Sequence, residues 1–183
     1  MAQTGTERSW SVAQSAELYG LERWGAPYFS INARGHVVVQ PRGDRGGSLD
    51  LMDLLQGLEA RDLQTPLLIR FDDILEDRLE QLHAAFERAI AHYAYGGTYQ
   101  GVFPIKCNQQ RHVVEHLVDK GSRWNFGLEA GSKAELLIAL SLTSNPEALL
   151  VCNGYKDRRY IETAILARRL GHQPVVVIEQ ADE

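Results

Sequence analysis

Apolar residues follow two rhythms along this chain. Five short unbroken runs lack the in–out alternation of a half-exposed strand. They are Leu67-Leu68-Ile69-Arg70-Phe71, Gly101-Val102-Phe103-Pro104-Ile105, Phe126-Gly127-Leu128, Leu149-Leu150-Val151-Cys152 and Val175-Val176-Val177-Ile178. Such runs read as strands covered on both faces, the habit of parallel sheets. Between them, apolar residues recur at steps of three and four. Leu75, Leu79, Leu82, Phe86, Ala89 and Tyr93 form the first series, and Val113, Val114, Leu117 and Val118 the second. A third helix opens at Ser132, where Ser132-Lys133-Ala134-Glu135 has the capping-box form, and a fourth follows Asp157 with Ile161, Ala164, Ile165 and Leu170. Five strands alternating with four helices predict an α/β fold.

Upstream of Pro66 the pattern differs. Tyr28-Phe29-Ser30-Ile31-Asn32 and His36-Val37-Val38-Val39-Gln40 flank Ala33-Arg34-Gly35 and read as a β-hairpin. A Gly-rich loop follows, and Ser48 is placed to cap a helix carrying Leu51, Leu54, Leu55 and Leu58. Residues 1–20 are polar and mixed, with mobility expected before Trp10. The expected organisation is therefore an N-terminal segment over residues 1–65 and an α/β region over 66–183. That region is either an open sheet or the front part of a (β/α)8 barrel, which needs eight units and roughly 250 residues.

Composition narrows the function classes. The 183 residues carry a net charge of −5, so no basic surplus suggests nucleic acid or an anionic membrane as partner. Two cysteines, Cys107 and Cys152, cannot staple a fold and read as small core residues near the strand ends. Met1–Arg8 has no apolar core of a secretory signal, and no run approaches the ~18 apolar residues of a membrane span. The expected address is the cytoplasm.

Sites in parallel sheets form at the carboxyl ends of strands. Those ends carry Arg70, Lys106-Cys107-Asn108, Glu129, Cys152-Asn153-Gly154 and Glu179. Lys106 stands out because it directly follows Val102-Phe103-Pro104-Ile105. Strand alternation would set it on the face of Pro104 and Val102. A buried ammonium there must be paired or lose its proton, and a neutral lysine amine is what attacks a carbonyl. The alternative is a lysine that snorkels to the rim or sits in an ion pair. Other features lead nowhere. Gly127-Leu128-Glu129-Ala130-Gly131-Ser132-Lys133 has the wrong spacing for a phosphate loop, and no GxGxxG follows a strand. His112 and His116 are spaced i,i+4, but a solvated helix face accounts for them; no CxxC supports zinc, and no metal ligands are assigned.

Taken together, several segments resemble the biosynthetic arginine decarboxylases, which belong to the alanine-racemase-like barrel class. Phe103-Pro104-Ile105-Lys106-Cys107-Asn108-Gln109-Gln110-Arg111 is similar to their pyridoxal-phosphate lysine motif. Gly127–Leu136 and Cys152-Asn153-Gly154-Tyr155-Lys156-Asp157 are similar to two further signatures, and Trp24-Gly25-Ala26-Pro27-Tyr28-Phe29 and Leu68-Ile69-Arg70-Phe71 match in order. The departure is Cys107, where the family is expected to have valine. The resemblance implies a partial (β/α)8 barrel of about five strands, preceded by the hairpin segment. It implies that Lys106 condenses with the aldehyde of pyridoxal 5'-phosphate and that Glu129 helps to orient this cofactor. L-arginine would be converted to agmatine and CO2, in polyamine synthesis. Magnesium is a family association only. The full-length protein would be a homo-oligomer, and this shorter chain, lacking the later strands and the Gly-rich phosphate loop, would be inactive alone. The readings left open are a related decarboxylase of ornithine or diaminopimelate and a non-catalytic binding module.

Overall fold

Two sheets of opposite character account for the strands of the computed structural model, which describes residues 10–181. The expectations about Met1–Arg8 and about mobility before Trp10 fall outside the described residues. The chain divides into two units, Met1–Ile74 and Leu75–Glu183.

In the first unit, helix α1 (Val12–Leu18) starts at a capping box. The Ser11 hydroxyl accepts from the Gln14 N–H, and the Gln14 side chain accepts from the Ser11 N–H. A short α2 (Leu21–Trp24) follows. Then comes the expected hairpin, β1 (Phe29–Ile31) antiparallel to β2 (Val37–Val39), with Ser30 opposite Val38. Its turn closes on Asn32, whose side-chain oxygen accepts from the Arg34 and His36 N–H groups, while Gly35 takes φ +82°. A two-residue β3 (Leu49–Asp50) extends the sheet beside β2 and leads into α3 (Leu51–Glu59). The cap of α3 is Asp50, not Ser48: helical geometry begins at Leu51, and the Asp50 carboxylate accepts from the Met52 and Asp53 N–H groups.

The run at residues 67–71 is not a strand. A short apolar run becomes a strand only when its N–H and C=O groups find a ladder, and neither sheet includes this segment; Leu68 is 78% exposed. The parallel sheet accordingly has four strands instead of five.

Helix α4 (Asp72–His92) leads into the second unit. Its predicted stripe is split. Leu79 is buried with Asp77 and His83, whereas Leu82, Phe86 and Tyr93 are exposed. Next come β4 (Val102–Pro104), α5 (Arg111–Gly121), β5 (Gly127–Ala130), α6 (Lys133–Leu142), β6 (Leu149–Cys152), α7 (Arg158–Arg169) and β7 (Gln173–Val176). The strands pair in parallel in the order β4-β5-β6-β7, each joined to the next through a helix. An unreversed order is that of a barrel segment; a doubly wound sheet reverses at its switch point. Pro104 has no N–H to give, and it sits on β4, one of the two outer strands of this sheet. Leu128 and Leu150 lie opposite one another in the two central strands and are fully buried with Ile105, Leu136 and Ala139. A second cluster, Leu79, Val113, Leu117 and Phe126, joins α4 to α5.

Candidate functional site

The chain leaves β4 through a single 3-10 turn, Ile105–Cys107. Ile105 is driven completely into the core, and the Asn108 N–H donates to its carbonyl at 3.1 Å. Burial of Ile105 fixes the turn and throws the next residue, Lys106, outward at the carboxyl ends of the strands. Its Nζ reaches the carboxylate of Glu129, the register partner of Pro104, so Lys106 stays on the Pro104 side of the sheet. It is not buried, however: its side chain is 66% exposed. Cys107 is exposed too, contrary to its reading as a core residue, whereas Cys152 is fully buried and burial pushes its thiol upward.

Glu129 comes from the middle strand pair, in register with Pro104 on one side and Val151 on the other. Its side chain is 16% exposed, and its Oε1 lies 4.0 Å from Lys106 Nζ. The same oxygen accepts from Asn153 Nδ2 at 3.1 Å. Asn153 is held by its own backbone, whose N–H donates to the Ala130 carbonyl at 2.8 Å. The next residue, Gly154, adopts φ +74°, and a Cβ there would stand 2.2 Å from the Gly131 carbonyl oxygen. Only glycine fits. Its N–H donates to Glu179 Oε1 at 3.0 Å.

A second tie steadies the lysine turn. Gln109 Nε2 donates to Glu135 Oε1 at 3.0 Å, and Glu135 Oε2 accepts from the Gly131 N–H at 2.7 Å. The Ser132 cap forms, with its hydroxyl accepting from the Glu135 N–H, but the reciprocal bond goes one residue further back than a capping box would send it. Lys133, the misplaced lysine of the false phosphate loop, instead meets Asp157 at 2.5 Å. That hydrogen bond holds the Asp157 carboxyl below its usual range, together with the N–H of Tyr160 that it caps. The Tyr160 hydroxyl donates to the Ala130 carbonyl at 2.8 Å, and burial raises it far above an ordinary phenol.

Of the strand-end residues singled out in the sequence, the structure gathers Lys106, Glu129 and Asn153, and links Gly154 to Glu179. Arg70 belongs to the other unit. The sequence did not single out Gln109 or the Asn153 amide as partners of carboxylates. The sequence carried no signal for Gln109, since Ser132-Lys133-Ala134-Glu135 has the full capping-box form and only the structure shows Glu135 reaching Gln109 and the Gly131 N–H instead.

Among the described residues, His36, Asp50 and Asp53 form a group with metal-ligand chemistry. It does not fit a cation such as magnesium, because a guanidinium already fills it: Arg34 lies 2.6 Å from Asp50 and 2.7 Å from Asp53. His112 is exposed, whereas the Nε2 of His116 is buried without a hydrogen-bond partner, so this helix face is only partly solvated.

Comparison with known proteins identifies the family. The profile described as "Pyridoxal-dependent decarboxylase, pyridoxal binding domain" matches residues 76–183. A biosynthetic arginine decarboxylase of Synechococcus sp. (strain RCC307) is 78% identical over 177 residues, 97% of this chain and 28% of that protein. One from Thermosynechococcus vestitus is 63% identical over 184 residues, with 29% of its length covered. The crystal structure of the biosynthetic arginine decarboxylase SpeA from Campylobacter jejuni superposes with a TM-score of 0.81 at 34% identity, covering 90% of this chain and 27% of that one. The chain thus spans little more than a quarter of the length of these relatives. From its parallel sheet and the profile match over residues 76–183, the chain belongs to the pyridoxal-dependent decarboxylases.

Proposed function

We propose that this chain is the lysine-bearing part of an arginine decarboxylase, the enzyme that converts L-arginine to agmatine and CO2. The observation that carries the reading is the placement of Lys106, a primary amine on a rigid turn at the carboxyl end of a parallel strand, beside the Glu129 carboxylate. The residues present fit the aldehyde end of pyridoxal phosphate, which condenses with an amine of this kind. When bound, the cofactor supplies an electron sink for the pair released as CO2 leaves. The chain's own residues bind and orient. Lys106 anchors the cofactor through Nζ, where it can also carry a proton. Glu129 supplies a counter-charge near that amine and helps to orient the ring. Arginine as the substrate is supported by the relatives' names and the resemblance of the lysine motif; a homo-oligomeric full-length protein rests on that resemblance alone. A cytoplasmic address is in keeping with the described residues, which contain no helix long and apolar enough to cross a membrane.

The test is direct. Incubating the chain with pyridoxal phosphate, reducing with borohydride and mapping peptides should place the label chiefly on Lys106, and Lys106→Ala should abolish that peptide's label. A label spread evenly over Lys120, Lys133 and other lysines, without enrichment at Lys106, would overturn the reading. Four strands leave Lys106 open to solvent, so no agmatine is expected from these 183 residues alone.

A further inference from the structure

We propose that Asn153 is a positioning residue that keeps the Glu129 carboxylate from closing onto Lys106, so that the lysine amine stays available to an aldehyde. This rests on reading Lys106 as the anchoring amine. The geometry is specific. Asn153 Nδ2 and Lys106 Nζ address the same atom, Glu129 Oε1, at 3.1 and 4.0 Å. The first is a hydrogen bond; the second is too long to be one.

Glu129 is largely buried, and a carboxylate so placed needs a donor. Asn153 supplies one without charge. Without it, the nearest replacement is a flexible, well-exposed ammonium about an ångström from hydrogen-bond distance. A direct ion pair would form, and it would occupy the Lys106 amine and turn it toward the carboxylate.

Other charged groups at this corner have partners of their own. Glu135 from α6 is shared between Gln109 and the Gly131 N–H. Glu179, after β7, accepts from the Gly154 N–H, and Lys156 donates to the Gly154 carbonyl. These last two bonds brace the loop that carries Asn153. Its amide is thus aimed by backbone that a side-chain substitution at 153 leaves in place.

The test needs no cofactor. Formaldehyde condenses with a lysine amine with loss of water, and hydride from cyanoborohydride reduces the product to a methylamine. Its rate at Lys106, relative to Lys120 in the same chain, reports how available the amine is at fixed pH. Asn153→Leu should lower this ratio about threefold, the effect of a modest partly exposed ion pair. Asn153→Ser, too short to reach Glu129, should do the same and guards against a packing defect from leucine. In a Glu129→Gln background, neither substitution should change the ratio. An unchanged or raised ratio in the single variants would overturn the proposal, as would an equal drop in the Glu129→Gln background. Failure of pyridoxal phosphate to label Lys106, with the methylation pattern as expected, would sink the cofactor reading and leave the role of Asn153 standing.

Discussion

The two units hold themselves together by different means. In the first, buried apolar side chains are few, chiefly Leu21, Tyr28, Val38 and Val39, and much of the organisation runs through one carboxylate. Asp50 caps α3, accepts from Asn32 Nδ2 at 2.7 Å, pairs with Arg34 at 2.6 Å and lies 3.1 Å from His36 Nδ1. In the second, the sheet and its helices enclose a large apolar cluster with a smaller one beside α4, and polar groups gather at the strand ends, with Asp77 and His83 buried on α4 as exceptions. A directional hub can be broken at a single atom. An apolar cluster distributes its stabilisation over many weak contacts, so its failure scales with the volume removed. The Lys106 amine and the Glu129 carboxylate stand where the second kind of construction ends, on a packed base.

The largest effect should come from the cluster. Leu150 is fully buried between neighbouring strands, so Leu150→Ala should destabilise the second unit by about 3 kcal/mol. Denaturant unfolding followed by a Trp124 signal measures this. A loss below about 1 kcal/mol would mean that the cluster can collapse around the gap and is less tightly built than its burial implies.

Next comes the hub. Burial pushes the Asp50 carboxyl up, but the N–H groups of Asp53 and Met52 and the side chains of Asn32 and His36 outweigh it, and the group is held well below its ordinary 3.8. A carboxyl with a depressed folded-state value contributes stability above its unfolded value and loses it as pH falls. Acid below about pH 4 should therefore loosen the first unit, with amide exchange at Val38 and Val39 as the readout. Asp50→Ala should produce the same loosening at neutral pH, and Asp50→Asn, which can still cap, a smaller one. Equal loosening of Leu128 and Leu150 amides would show that the two units do not separate in this way.

The contrast also explains what could be read from the sequence. The second unit was legible because its strands and helices follow from apolar period alone, and the boundaries of β6 and the cap at Asp157 came through unchanged. The predicted strand over residues 175–178 was displaced to β7 at 173–176. Its pairing follows β6, whose last residue, Cys152, accepts the final N–H from Val177. The run at 67–71 misled because periodicity reports burial and not a ladder partner. In the first unit, the hairpin carried a turn signal. The Asp50 hub carried none, since it joins residues 14 to 18 apart in the chain. Lys106 and Glu129, which the structure sets 4.0 Å apart, were singled out from strand ends and family motifs. The turn that exposes Lys106 was not, because one extra helical step after a strand leaves no mark in an apolar run.

The smallest expected effect tests whether the second unit is as purely apolar in its support as the contrast implies. His83 is buried on α4, stacked on Trp124 at 4.7 Å with the rings 5° apart, and its Nε2 has no hydrogen-bond partner. Burial lowers its pKa below the usual 6.5; Glu87 acts against this shift and Arg123 with it. The folded state therefore holds the ring neutral, and the unfolded chain takes up a proton first as pH falls. Stability is unaffected above pH 6.5 and declines as the pH drops from there toward the lowered folded value. His83→Phe keeps the stack without a titrating group, so it should flatten the stability profile between neutral pH and about 5 while leaving the neutral-pH value within roughly 1 kcal/mol. Melting curves across that range decide the matter. A profile that keeps its slope in the phenylalanine variant would place the acid sensitivity elsewhere. A slope that disappears would show one polar group held inside the apolar unit at a cost that only acid reveals.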